Sequence, residues 1–266
     1  MGITITDRMA ATANGALENK VAIVTGSGRG IGRAIAVGYA MAGASVCCIA
    51  RSGDEVAETA RLISGAGGRA LAAVTDVKDL ASVEAMVAQA VRTFGGVDIL
   101  VANHGVQKAA GPLEDTDPAD WQDTIAINLI GTYHCVRSII PHLKARGAGK
   151  IITVGSGQGH RGSAGQTAYS SSKAGLWMLV QTLAQELAPF NISVNEILPG
   201  HVLTSIYSQA TAKFGGGAPG DTQKPKDLRS SEWLKQPEDV VPLALFLACQ
   251  PDFGPTAQSY SLMRRF

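Results

Sequence analysis

Tyr169 and Lys173 stand four residues apart in the run TAYSSSKAG, which reads as the start of a helix after a glycine-rich loop. On an α-helix, positions i and i+4 share a face, so the phenol and the ammonium are neighbours. An ammonium beside a phenol favours the phenolate and is expected to lower a pKa that otherwise sits at about 10. A tyrosine tuned in this way exchanges a proton near neutral pH. Such pairs also occur by chance on helix surfaces, so the meaning of this one depends on what the rest of the chain supplies. Just upstream, IITVGS reads as a buried strand ending at Ser156, whose hydroxyl could hydrogen-bond the same reacting oxygen. A serine-hydrolase reading of Gly155-Ser156-Gly157 fails, because G-x-S-x-G needs glycine two residues before the serine and Val154 stands there.

The elements that must position these groups begin with Lys20 to Thr25, KVAIVT, a short apolar run that suits a strand buried on both faces. GSGRGIG follows from Gly26 to Gly32 and leads straight into the helical pattern RAIAVGYAMAGA. Glycines at a strand-to-helix turn let backbone approach a ligand closely, and the helix N-terminus offers N–H groups to a pyrophosphate. Gly26, Ser27, Arg29, Gly30 and Ile31 are therefore candidate nucleotide contacts, with a purely structural turn as the competing reading. A second strand, ASVCCIAR, ends at Arg51 and is followed by Ser52. Arg29 and Arg51 converging on one corner of the ligand would bond a phosphate; the alternative is that both are solvated loop residues. Asp54 to Gly68 reads as an amphipathic helix ending in glycines, followed by the strand RALAAVTDV and the helix SVEAMVAQAVRTFGG. Pro118 to Gly147 keeps helical periodicity throughout, with Trp121, Ile125, Leu129 and Val136 as core or subunit-packing positions. Asn128 is an amide in that apolar stretch and must find partners there.

The spacing Thr-Gly-x-x-x-Gly-Ile-Gly, with Ser156 thirteen residues before Tyr169 and Lys173 four after it, resembles the short-chain dehydrogenase/reductase family, ketoacyl-reductase-like members included. The resemblance runs from about Lys20 to Ala248. It implies a Rossmann fold: a single-domain α/β architecture with a doubly wound parallel sheet of about seven strands and helices on both faces. It also implies a tetrad of Asn128, Ser156, Tyr169 and Lys173, with the lysine bonding the nicotinamide ribose as well. The position of Asn128, in Asn-x-x-Gly with Gly131, would anchor a water that links the lysine to solvent. Asp76 and Val77 match the pair that holds the adenine ring, although Asp76 could instead cap the next helix. VDILVANHG resembles the family's Asn-Asn-Ala-Gly, with Ala102 for the first Asn and His104 for the Ala, so Asn103 and Gly105 remain cofactor contacts. A packed histidine is the simpler reading of His104. Pro199 and Gly200 match the turn beneath the nicotinamide, with Val202 near the carboxamide and Thr204 near the pyrophosphate. NAD-specific members carry an acid at the end of the second strand; here Ala50 stands there, so NADP(H) is expected, with NAD(H) as the alternative.

Gln158, His160 and Gln166 lie in the loop after Ser156, and His201 follows the Pro-Gly turn; these four are the candidate substrate contacts. Residues 205–236, rich in glycine and lysine, suit a mobile lid, and PEDVVPLALFLACQ a closing helix. The 266 residues suit a loose tail over residues 1–19 and one catalytic domain over 20–266, its cofactor half at about 20–150 and its catalytic half at about 151–266. Lys plus Arg at 23 against Asp plus Glu at 22 gives no electrostatic case for nucleic acid or an anionic membrane. The longest apolar runs are too short to span a bilayer. Cys47, Cys48, Cys135 and Cys249 form no metal-ligand or disulfide pattern and read as buried free thiols in a reducing cytoplasm. The expected partners are a small carbonyl or alcohol substrate and further copies of the chain, as a dimer or tetramer. The expected reaction is hydride transfer between a nicotinamide and a ketone or secondary alcohol. An NAD-preferring dehydrogenase of an alcohol, sugar or polyol is the runner-up, and a non-catalytic nucleotide-binding regulator is the reading from another class.

Overall fold

The strands of this chain are short because almost all of them are buried on both faces, which requires apolar side chains at every position. In the computed structural model, which describes residues 15–205 and 234–263, they are β1 Val21–Thr25, β2 Ser45–Ala50, β3 Arg69–Val74, β4 Ile99–Ala102, β5 Gly149–Val154, β6 Ile192–Leu198 and β7 Ser259–Ser261. They form one parallel sheet in the order β3-β2-β1-β4-β5-β6-β7. The expected doubly wound fold is the one observed. Because the chain runs from β1 outward to β3 and then returns to β4 on the other flank of β1, the loops leaving β1 and β4 diverge. That divergence opens a crevice at the carboxyl ends of the strands, the usual ligand position in such sheets.

Helices cover both faces. On one face α1 Gly30–Met41 and α8 Val241–Ala248 pack against the sheet, and on the other lie α3 Leu80–Phe94, α5 Gly131–Arg146 and α7 Thr167–Leu187. Adjacent Cys47 and Cys48 point into these two different cores, as strand alternation demands. Cys249 departs from expectation: it lies at the end of α8 and is exposed. Asp79 caps α3 by accepting from the Ala81 N–H at 3.0 Å, and Asp117 caps α4 Pro118–Ile125 from Ala119 at 2.8 Å. Helix α2, Gly53–Gly65, lies against β2 and β3.

Two other boundaries differ from the sequence reading. The tail expected over residues 1–19 is already packed at Leu17, which is 1% exposed and whose N–H donates to the Ala42 carbonyl at 2.8 Å. Burying one leucine contributes roughly 2 kcal/mol toward the ordering of this turn. The single helix expected over Pro118 to Gly147 is interrupted by a π-helical segment, Ala126–Ile130, which contains Asn128. Residues 206–233, which hold nearly all of the expected lid, lie outside the described residues.

Candidate active site

The crevice begins at the glycine turn between β1 and α1. Gly26 and Gly30 adopt φ of 62° and 55°, the left-handed region that glycine tolerates. A Cβ on Gly32 would sit 2.3 Å from the Gly26 carbonyl oxygen, so the turn closes this tightly only with glycine there. Asn103, leaving β4, clamps the turn: its Nδ2 donates to the carbonyls of Thr25 at 3.0 Å and Gly26 at 3.2 Å. Arg33 and Thr59, absent from the sequence reading, brace the outside of the turn. The Arg33 guanidinium donates to the Gly28 carbonyl and to Thr59 Oγ1, and the Thr59 hydroxyl donates to the Ser27 carbonyl at 2.8 Å. The residue preceding α1, Arg29, is extended and makes no side-chain cap, so the first N–H groups of α1 are left for a ligand.

At the outer end of this crevice lie Arg29, Arg51 and Ser52, as expected, together with a carboxylate that was not. Glu55 reaches back from α2 to within 3.4 Å of Arg29 Nη1, and its Oε2 lies 2.9 Å from where a Gly28 Cβ would be. The acid missing from the end of β2 is thus matched by one five residues later. Its signal, an Asp-Glu pair in the first turn of α2, is indistinguishable from ordinary helix-dipole chemistry in the sequence. Asp76 and Val77 line the crevice here too. Asp76 does not cap α3; Asp79 does, while Asp76 Oδ1 accepts from the Lys78 N–H at 3.0 Å.

The other end is built by β5, α7 and the π segment. Ser156 follows β5 and caps the short helix α6 Gly157–His160, its Oγ accepting from the Gln158 N–H at 3.2 Å. The hydroxyls of Ser156 and Tyr169 line the same cleft. Lys173 lies on the same face of α7, its Nζ 5.8 Å from the Tyr169 ring centroid and donating to the Val154 carbonyl at 2.8 Å. Burial pushes Lys173 down to about 8, with Glu196 countering. The expected lowering of the Tyr169 pKa is not observed. Burial raises it and Ser156 opposes that rise, while the Lys173 ammonium donates to the Val154 carbonyl.

Asn128 is wholly buried. Its Oδ1 accepts from the Val106 N–H at 2.8 Å, and its Nδ2 donates to the Val106 carbonyl at 2.9 Å and to Ser172 Oγ at 3.0 Å. The backbone carbonyl of Asn128 accepts from the Thr132 hydroxyl at 2.9 Å. Gly105 packs beside both groups, since a Cβ there would be 3.4 Å from Asn128 Oδ1 and 3.7 Å from Lys173 Nζ. His104 is packed, as the simpler reading had it. Its Nε2–H donates to the Ile127 carbonyl at 3.1 Å, leaving Nδ1 as acceptor for the Thr25 hydroxyl at 2.7 Å. Burial, then the charge of Lys173, pushes its pKa down to about 4, so the ring is neutral.

One cleft of about 1760 Å³ joins both ends and takes in Pro199, Gly200, Val202 and Thr204, whose methyl lies 3.4 Å from where a Gly30 Cβ would be. Gln158, Gln166 and His201 line it as well, beside the previously unremarked Gln107, whose amide donates to that of Gln166. Ser27, Asn128 and His160 do not line it. Ser27 is fully buried beneath the turn, Asn128 is sealed behind Val106, and His160 faces away to Glu196 at 2.8 Å. Among the described residues no cluster of His, Cys, Asp or Glu could hold a metal ion, and no helix is long and apolar enough to cross a membrane.

A doubly wound sheet with a glycine turn at its switch point, and Ser, Tyr and Lys around the far end of the same cleft, defines a nicotinamide-dependent oxidoreductase. The glycine cradle, which side chains would fill, and the open N-terminus of α1 fit the pyrophosphate of such a cofactor. Residues 20–214 match the family model described as short chain dehydrogenase. The chain is 36% identical over 232 residues, 87% of its length and 90% of the relative's, to (2S)-[(R)-hydroxy(phenyl)methyl]succinyl-CoA dehydrogenase subunit BbsD of Thauera aromatica. Among solved structures, carveol dehydrogenase from Mycobacterium avium in complex with NAD has a TM-score of 0.84 at 30% identity, covering 93% of this chain and 97% of that one. A Beutenbergia cavernae protein with NADP at low occupancy, provisionally named an NAD(P)-dependent gluconate 5-dehydrogenase, has a TM-score of 0.81 at 33% identity over 93% and 96% of the two chains. The chain belongs to the short chain dehydrogenase family, oxidoreductases that act on hydroxyl and carbonyl groups with a nicotinamide cofactor.

Proposed function

We propose that this protein is an NADP(H)-dependent carbonyl reductase and alcohol dehydrogenase that interconverts a ketone and a secondary alcohol. The observation that carries the reading is that Ser156, Tyr169 and Lys173, the last two on one helix face, line a single cleft that continues to the glycine turn. The bound nicotinamide supplies or accepts hydride. Tyr169 donates the proton to the carbonyl oxygen in reduction and takes it back in oxidation, and Ser156 donates a hydrogen bond to that oxygen as charge develops. Lys173, protonated at neutral pH, stabilises charge on the phenol oxygen and bonds the ribose. Asn128 acts by fixing Val106 and the wall beside Lys173. Gly26, Gly30, Ile31, Asn103 and Gly105 hold the pyrophosphate and nicotinamide side of the cofactor, and Asp76 with Val77 holds the adenine. Gln158, Gln166 and His201 line the substrate side. Replacing Tyr169 by Phe is expected to lower turnover about a thousandfold while NADPH still binds, read by absorbance and fluorescence of the reduced nicotinamide. Full activity in that variant would remove the proton-transfer role and revive the reading as a nucleotide-binding regulator.

The NADP(H) preference rests on Arg29 and Arg51 at the ribose corner, with Ala50 rather than an acid closing β2. Glu55 favours the second reading, an NAD-preferring dehydrogenase of an alcohol, sugar or polyol, because it pairs with Arg29 and would face a 2′-phosphate. Comparing kcat/KM with the two cofactors separates the readings, and equal or better turnover with NADH sinks the first. If NADPH wins, Glu55→Gln is expected to widen its lead several-fold, because a repelling charge is removed from the phosphate corner. The three buried free thiols, Cys47, Cys48 and Cys135, suit a reducing cytoplasm, and assembly as a homodimer or homotetramer completes the proposal.

A further inference from the structure

We propose that Glu196 and His160 form a positioning pair that holds the turn carrying Ser156 against Tyr169 and ties that turn to the last strand, β7. The proposal rests on the catalytic reading of Ser156 and Tyr169 given above. Glu196 stands on β6 with no exposed surface, beside the exit of β5 from which Ser156 follows. Gly155 makes the room for it, since a Cβ there would lie 1.8 Å from Glu196 Oε1. The other oxygen, Oε2, takes a hydrogen bond from His160 Nε2 at 2.8 Å and one from the Ser259 hydroxyl of β7 at 2.6 Å.

His160 closes α6, the single helical turn that Ser156 opens, and its ring packs 4.9 Å from that of Trp177, one turn along α7 from Lys173. Met263 abuts the same turn, its Cε 2.7 Å from where a Gly157 Cβ would be. The serine turn is therefore held at both ends, by the Ser156 cap at one and by the carboxylate at the other. A carboxylate this deeply buried needs donors, and these two tie α6 and β7 to the same point. Neither Glu196 nor His160 lines the cleft, so they act through Ser156 and through charge on Lys173. The groups facing Glu196 are His160 from α6 and Ser259 from β7, and from α7 the ammonium of Lys173, which the carboxylate favours.

The test uses the full chain with its preferred reduced nicotinamide and the ketone it turns over fastest in a panel. Glu196→Gln and His160→Phe are each expected to lower kcat about tenfold or more while cofactor KM changes less than about twofold. The double variant should be no slower than the slower single, because the two residues act as one unit. Glu196→Gln should also move the alkaline limb of the reduction rate to lower pH, since Lys173 loses its negative neighbour, whereas His160→Phe should leave that limb in place. Values of kcat within about twofold of the unaltered enzyme with superimposable pH profiles overturn the proposal, as does an additive loss in the double variant. If Glu196→Gln fails to fold, His160→Phe decides alone, and unchanged kcat in it overturns the proposal. A fully active Tyr169→Phe would instead defeat the catalytic reading, whatever Glu196 does.

Discussion

His104 shows how a single residue in this cleft is set by its surroundings. Its imidazole bridges the Thr25 hydroxyl at the end of β1 and the Ile127 carbonyl in the π segment, an arrangement that needs one donor and one acceptor nitrogen and hence the neutral ring. Burial and the nearby Lys173 charge hold its pKa at about 4, against about 6.5 in an unfolded chain. Between those values the unfolded state binds a proton that the folded state does not, so stability falls as pH falls. The expected loss from pH 7 to pH 4 is on the order of 2 kcal/mol, allowing for water in the cleft. Urea denaturation across that range measures it, and His104→Gln should flatten the dependence; an equally steep profile in the variant would assign the effect to other groups.

The element that does most for the far end of the cleft is the π-helical segment between α4 and α5. Widening one turn turns Asn128 toward the β4 exit, where its side chain satisfies both backbone groups of Val106 as a neighbouring strand would. Asn128→Ala is expected to leave the half-buried Val106 N–H and C=O without their amide partner and to cost about 1–3 kcal/mol of unfolding free energy. Asn128→Asp restores the acceptor alone and should recover only part of this. Urea denaturation of both variants checks the ordering, and equal stability of Asn128→Ala and the unaltered protein would contradict it. Continuous apolar periodicity over Pro118 to Gly147 cannot reveal such a segment, since one extra residue in a turn leaves the hydrophobic pattern nearly intact.

Across the whole molecule, the cofactor cleft joins loops from both flanks of the sheet, from β1, β2 and β3 on one side of the switch point to β4, β5 and β6 on the other. A ligand that fills it couples the two flanks and binds only the folded chain. At a hundredfold excess over its Kd, the preferred nicotinamide nucleotide should add about 2.7 kcal/mol of stability. Thermal unfolding with NADP(H) and NAD(H) in parallel measures it, and the larger rise in Tm is expected with NADP(H). Identical shifts with both would mean that the ribose corner does not discriminate.

Strand runs, the glycine turn and the Ser156, Tyr169 and Lys173 spacing were legible in the sequence because each depends on local periodicity or on distances along one element. From them followed the doubly wound sheet and a cleft lined by those three side chains. What lay beyond the sequence involves contacts between segments far apart in the chain. Glu55 reaches Arg29 only because α2 folds back over the glycine turn, and the Lys173 ammonium meets Val154 from another element. His160, counted from sequence among the substrate contacts, turns away from the cleft because the buried Glu196, 36 positions along the chain, claims its ring. The raised pKa of Tyr169 has the same origin, since helical spacing sets which side chains are neighbours whereas desolvation depends on everything packed around them.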